Sequence, residues 1–325
     1  MYTSIVVPLD GTPFSKQALA LAVALALRSH ALVHLVHVQE PALRGAGALG
    51  PDTTMDDERR HLERVELEQL AAELRRDTSL QVDAVAVDGT GATALGQYVD
   101  THRCDLVVMM SHGRGGVARA LMGSFANALV RHTSVPLLLV HPGAEWHADV
   151  DAPLFRHVMV PLDGSAFADG VLDHAVSLVS PGETLFTLVS VVVPPMSLAY
   201  PDVSSFTFVD GGNVDTEQAV AEAHLHAKAA ELRESGVRAK TLVLMHPRPA
   251  RAILDAADEH QVDSIALSTH GRGAVERLAL GSVADELIRH AKVPVLVHRP
   301  ARGEEPQSAG TTAAVASTSG QAAPP

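Results

Sequence analysis

The amino-acid sequence predicts a duplicated α/β fold, each half a doubly wound parallel sheet of five strands. Three observations carry this: a length of 325 residues, a segment that recurs one domain-length later, and apolar runs that alternate with helical spacings. The length suits two domains, each large enough to bury its own core. Val7-Pro8-Leu9-Asp10-Gly11-Thr12 returns as Val160-Pro161-Leu162-Asp163-Gly164-Ser165, 153 residues on. The stretch from His112 to Leu138 returns from His270 to Leu296, 158 residues on, with more than half of its positions identical. A period of this size duplicates a whole domain, since solenoid units run to about 20–50 residues. The change of offset implies a five-residue length difference between the two anchors, and Pro194 to Asn213, rich in Pro, Ser and Gly, is where we expect it.

Within the first half the β-rich runs are Ile5 to Leu9, Ala31 to Val38, Leu80 to Val87, Asp105 to Met110 and Pro136 to His141. Helices are expected between them: one capped by Thr12 with Pro13 at its first position and running to about Arg28, a long amphipathic one over Met55 to Arg76, then Ala92 to His102 and Ser124 to His132. The second half follows in register, with strands at Phe155 to Leu162, Thr184 to Val192, Ala239 to Met245, Asp263 to Ser268 and Pro294 to His298. Strands that alternate with helices in this way build a parallel sheet. The expected division is 1–142 for the first domain, 143–154 for a linker, 155–300 for the second domain and 301–325 for a tail. That tail is Ala, Gly, Ser, Thr, Gln and Pro with almost no large apolar residue, and it cannot offset its ordering entropy.

Charge and composition exclude several classes. The net charge is −13, which repels polyphosphate backbones, so a nucleic-acid partner is not expected. Cys104 is the sole cysteine and can form no internal disulfide, and Met1-Tyr2-Thr3-Ser4 lacks the features of an export signal. A cytoplasmic location is the expectation. The longest apolar run, Ala18 to Leu27, falls well short of the ~20 residues that span a membrane.

Ligands of open parallel sheets bind beyond the carboxyl ends of the strands, where strand order reverses. Two strand ends per half are unusual. Strand one ends in Asp10-Gly11, or Asp163-Gly164; strand four ends in Ser111-His112-Gly113-Arg114-Gly115-Gly116, or Thr269-His270-Gly271-Arg272-Gly273-Ala274. The second loop then reaches Gly123-Ser124, or Gly281-Ser282, at the start of a helix. Glycine permits close backbone approach, and the free amides of a first helical turn favour an anion, so the pattern reads as a phosphate cradle. A carboxylate at the end of strand one could accept from a base amino group or a ribose hydroxyl. It is equally a capping or turn residue.

The spacing His-Gly, nine residues, Gly-Ser, then a short helix and Val-Pro, with Val-Pro-Leu-Asp-Gly at strand one, resembles the universal stress protein family over both halves, so the chain is similar to a tandem member. The resemblance implies the adenine-nucleotide-binding fold with strand order 3-2-1-4-5, and fifth strands pairing antiparallel between domains as an intramolecular pseudo-dimer. A further homodimer is compatible. It also implies ATP, or AMP or ADP, with Mg²⁺, and a regulatory role in the stress response. By position, Asp10 and Asp163 would meet the adenosine, Val38 and Val191 would line the adenine, and Met109 and Leu267 would contact the base through backbone groups. Gly113, Gly123 and Ser124, with Gly271, Gly281 and Ser282, would hold the phosphates, and Arg114 and Arg272 would approach them. The family pattern Gly-x-x-Gly-x9-Gly-Ser/Thr loses its first glycine here, to Met110 and to Ser268. Met110 takes more room, so the second half is expected to be the better ATP site; a nucleotide-free interaction scaffold is the alternative.

Other chemistries lack their signatures. There is no G-x-x-x-x-G-K-[ST], no G-x-S-x-G elbow, no H-E-x-x-H and no G-x-G-x-x-G after strand one. No catalytic base or metal ligand is assigned, and slow ATP hydrolysis is the most the sequence supports. His34 and His37 should point to opposite faces of their strand. The acidic run Asp56 to Glu73 reads as a solvated helix face.

Overall fold

A computed structural model describes residues 1–40, 53–111, 123–133, 135–142, 153–180, 182–194, 212–269 and 280–299. Residues 143–152 of the expected linker, the tail from 301, and the loops carrying Gly113, Arg114, Gly271 and Arg272 lie outside the described residues. The first half runs β1 (Ser4–Pro8), α1 (Gln17–Ser29), β2 (Leu32–Gln39), α2 (Thr53–Asp77), β3 (Val82–Asp88), α3 (Gly91–Thr101), β4 (Leu106–Met110), α4 (Ser124–His132) and β5 (Leu137–Val140). The second runs β6 (His157–Pro161), α5 (Ala166–Asp169), α6 (Val171–Ser177), β7 (Leu185–Val192), α7 (Gly212–Glu234), β8 (Arg238–Met245), α8 (Pro249–Glu259), β9 (Ser264–Ser268), α9 (Ser282–His290) and β10 (Val295–His298).

The ten strands form one continuous sheet rather than two, in the order β3-β2-β1-β4-β5-β10-β9-β6-β7-β8. Pairing is parallel within each half and antiparallel at the β5–β10 seam. There Leu138 lies opposite its own counterpart Leu296, flanked by Leu137–Val297 and Leu139–Val295. An apolar edge strand left bare would expose a row of unpaired amides and carbonyls, and each edge covers the other. The register on equivalent residues makes the seam isologous, as in a two-fold dimer. Tyr2 Oη also crosses it, donating to the His174 carbonyl at 3.1 Å.

Duplicated devices hold the central strands. Asp105 accepts from the Thr3 and Ser4 amides (2.7 and 2.9 Å), and Asp263 accepts from those of Arg156 and His157 (2.7 and 3.0 Å), which fixes strand four beside strand one in both halves. The core fills the two faces of the sheet with Val, Leu, Ile and Ala, and Leu21, Leu35, Leu106 and Phe186 have no accessible surface. Each such side chain contributes about 1.5–3 kcal/mol on burial. Leu67 and Ala71 on α2 are buried as Leu225 and Ala229 are on α7, at the 158-residue offset, so the length difference arises before the long helix.

One helix start departs from expectation. Thr12 does not cap α1, which begins at Gln17. Thr12 Oγ1 accepts from the Ser15 amide (3.2 Å), but Ser15 Oγ donates back to the Thr12 carbonyl (3.0 Å), so side chains take the bonds that would propagate the first turn. In the second half Ser165 does cap, accepting from the Ala168 amide at 3.2 Å.

Candidate functional site

Each half has a cavity at the carboxyl ends of its strands. Cavity one, about 610 Å³, is bordered by Asp10 and Val38 from the β1 and β2 ends, Met109 and Met110 from β4, and Gly123 and Ser124 at the mouth of α4. Cavity two, about 840 Å³, is bordered by Asp163, Val191, Leu267, Ser268, Gly281 and Ser282. Both volumes lie within the range of small-molecule sites. The aspartate turn and the helix mouth, far apart in sequence, thus open on one hollow in each half.

The aspartates do turn work. Asp10 Oδ1 accepts from the Thr12 amide (3.0 Å) and hydroxyl (2.5 Å), and Asp163 Oδ1 accepts from those of Ser165 (3.0 and 2.6 Å). Gly11 and Gly164 follow with φ of +77° and +80°, a conformation that other residues rarely adopt. The bond from each Oδ1 locks the carboxylate at the cavity edge.

At the opposite wall the cap glycines fasten the helices to strand four. The Gly123 amide donates to the Ser111 carbonyl and the Gly281 amide to the Thr269 carbonyl, both at 3.0 Å. These two amides are therefore committed to the protein. The anion-facing donors are those of the first helical turn, Ser124 to Ala126 and Ser282 to Ala284, since in-helix bonding starts with Asn127 to the Gly123 carbonyl (3.0 Å) and Asp285 to the Gly281 carbonyl (2.9 Å). A Cβ on Gly281 would sit 3.3 Å from the Thr269 carbonyl oxygen, a tight contact that glycine avoids.

The two cavities differ where the glycine pattern is broken. Met110 is buried in the wall of cavity one, whereas at Ser268 the hydroxyl is buried without a hydrogen-bond partner among the described residues. A buried orphan hydroxyl costs about 1–3 kcal/mol until a ligand or water satisfies it.

Sequence reasoning missed another set. His37 Nδ1 donates to the Leu9 carbonyl (2.7 Å) while its Nε2 lies 3.3 Å from Glu63, which also binds Arg59 at 2.7 Å. His37, Glu40, Arg59 and Glu63 all border cavity one, so part of the acidic helix face expected to be solvated is cavity wall. The equivalent positions in cavity two are Ser190, Val193, Glu217 and Ala221, joined by Val220. Val193 and Val220 are 45% and 53% exposed, apolar surface left facing the hollow and its rim. Aligning α2 with α7 at the 158 offset, instead of reading α2 alone, would have found the exchange. Among the described residues no group of three or more His, Cys, Asp or Glu could hold a metal, and no helix is long and apolar enough to cross a membrane.

The fold and these sites define a class: a duplicated α/β protein with a cavity at the strand-order switch point of each half, where open parallel sheets commonly bind ligands. The Universal stress protein family profile matches residues 1–141 and 154–299, and the chain belongs to that family. A universal stress protein of Mycobacterium tuberculosis is 29% identical over 200 residues, which span 61% of this chain and 63% of that protein's length. A second from the same organism is 26% identical over 309 residues, 91% of this chain and 94% of that one. The crystal structure of a universal stress protein from Archaeoglobus fulgidus shares the fold, with a TM-score of 0.67 at 17% identity, over 92% of this chain and 98% of that chain.

Proposed function

We propose that this chain is a nucleotide-binding regulator of the stress response that holds an adenine nucleotide, ATP or else AMP or ADP, in one or both cavities. The observation that carries the reading is the convergence, in each half, of an aspartate turn and an N-terminal helix mouth on one cavity of nucleotide size. The adenosine end would lie toward Asp163, Val191 and Leu267, or Asp10, Val38 and Met109. The phosphates would lie against Ser282 or Ser124, where the first-turn amides and the helix dipole favour negative charge. Gly113, Arg114, Gly271 and Arg272 would complete the cradle. Mg²⁺ would be carried by the phosphates. Bound there, the ion neutralises phosphate charge. The family membership supports the same reading, as does the buried Ser268 hydroxyl, which a ribose hydroxyl would satisfy.

Cavity two is the stronger site in this proposal, because Ser268 leaves the room that Met110 occupies. The expected domain division, 1–142 and 155–300 around a linker, and a cytoplasmic location belong to the same proposal. Mass spectrometry of small molecules released on denaturation, followed by calorimetric titration of the full chain with Mg-ATP, tests it. We expect a co-purified adenine nucleotide or saturable binding. If neither cavity takes adenine nucleotide at millimolar concentration, the chain is a scaffold of the same fold.

A further inference from the structure

The helices that open on the cavities are tied, at their other ends, to the opposite half of the molecule. Arg299 immediately follows β10, and its Nη1 donates to the carbonyls of Val130 (3.5 Å) and Arg131 at the C-terminal end of α4. His141 immediately follows β5, and its Nε2 donates to the Ile288 carbonyl (2.8 Å) at the C-terminal end of α9. These are equivalent positions, and the carbonyls are equivalent too. A donor at a helix C-terminus satisfies carbonyls that the helix leaves open and complements the dipole.

Each of these residues is also linked back to its own cavity. The Val140 carbonyl, next to His141, accepts from the Ser111 amide (2.9 Å), and the Ser111 carbonyl accepts from Gly123 (3.0 Å) at the mouth of α4. The His298 carbonyl, next to Arg299, accepts from Thr269 (2.9 Å), whose carbonyl accepts from Gly281 (3.0 Å) at the mouth of α9. The bonds close a circuit: cavity one, β5, His141, α9, cavity two, β10, Arg299, α4 and cavity one again. Both helices have nine residues, about 13 Å at the usual rise, short enough to move as rods.

We propose that Arg299 and His141 are positioning residues acting in trans, each setting the helix mouth of the other half's cavity, so that filling one cavity changes the affinity of the other. The proposal rests on the nucleotide-binding reading for its ligand and on the hydrogen-bond circuit for its geometry. Arginine is permanently charged and reaches two carbonyls, while histidine reaches one, so Arg299 is the stronger tie and cavity one the more dependent site.

The test uses the full chain and Mg-ATP. In wild type, the affinity of cavity one with cavity two filled should differ by about fivefold or more from that measured in Gly281→Leu, where cavity two is blocked. In Arg299→Ala this difference should vanish and cavity one should weaken, with Arg299→Lys restoring most of both. Amide exchange on the unliganded chain gives a second readout. Arg299→Ala should speed exchange over 127–132 of α4 and leave 285–290 of α9 unchanged, and His141→Ala should do the reverse. If no ATP binds wild type anywhere, the nucleotide reading fails, and the exchange pattern alone decides the positioning claim. Unchanged coupling, or exchange that rises equally in both helices, would overturn the proposal and leave these residues as clamps of the seam.

Discussion

The two halves share one sequence pattern and the same strand order, yet their cavities are walled differently. Cavity one has a polar rim in which Arg59 pairs with Glu63 beside His37, and a methionine where the pattern calls for glycine; cavity two has valines and a serine. Duplication preserves what would position a ligand in the proposed sites and releases what would select it. The aspartate turn, the cap glycine and the strand-four clamp are kept because each satisfies backbone groups that are expensive to leave unpaired. Side chains that merely face the hollow carry no such obligation. Interactions can even survive an exchange of their residues. Ser4 Oγ meets His34 Nε2 at 3.1 Å in the first half, and at the same two positions of the second half His157 Nε2 meets Thr187 Oγ1 at 2.6 Å.

Acid should separate the halves most. His298 packs against His174 with ring centroids 4.3 Å apart, where the first half has the buried pair Val140 and Leu21. Burial, with His174 adding to it, pushes the His298 imidazole down to about 4. Between pH ~6.5 and ~4 the folded second half then binds fewer protons than its unfolded chain. Its stability is therefore full above pH 6.5 and declines as pH falls toward 4, by about 3 kcal/mol from this group. Burial also lowers His34 in the first half and His157 in the second, so each half carries one such group. Amide exchange at successive pH values should show the second half loosening first, and His298→Val should abolish the difference. Simultaneous loosening in wild type would contradict this assignment.

Gly281→Leu comes next. Its side chain meets the Thr269 carbonyl and fills the mouth of α9, so the tighter calorimetric site should weaken about a hundredfold, ~2.7 kcal/mol, leaving the weaker one. Loss of the weaker site instead would reverse the ranking of the cavities.

Met110→Ser, made in the Gly281→Leu chain, asks whether bulk alone separates them. We expect about tenfold tighter ATP binding in cavity one, ~1.4 kcal/mol, with thermal unfolding lowered because a buried methionine is lost at about 2–5 kcal/mol. No gain in affinity would shift the cause to the charged rim. In the same background, the pair His37→Ser and Glu63→Ala gives that rim the residues of cavity two. Partly exposed ion pairs contribute about 0.2–1 kcal/mol, so a change of about threefold is expected, and a larger one would make the rim the principal selector.

Much of this was legible without coordinates because the signals are local. Period-2 and period-3.6 patterning located the strands and helices to within a few residues, and the repeat showed that they occur twice. Asp10, Gly123 and Ser124 could be singled out because turns and helix starts demand particular residue types at particular places. Arg59 and Glu63 could not be singled out from α2 alone, since a charged helix face looks the same whether it meets water or a cavity. The start of α1 was misread because Thr12-Pro13 is a sound N-cap signal that the Ser15 hydroxyl overrides.

By itself, then, the chain's pattern of apolar and glycine positions determined an α/β fold repeated twice and marked the strand ends at which the proposed ligand would bind. The antiparallel pairing of the fifth strands was an expectation of the family resemblance and is met at β5 and β10, but only the tertiary structure decided its register, that α2 walls cavity one with charged side chains, and that Arg299 and His141 reach across the seam. The reason is physical. Helix, strand and turn preferences act between residues a few positions apart, whereas the seam, the cavity walls and the crossed ties join residues more than twenty, and some more than a hundred, positions apart, which meet only once the sheet has formed.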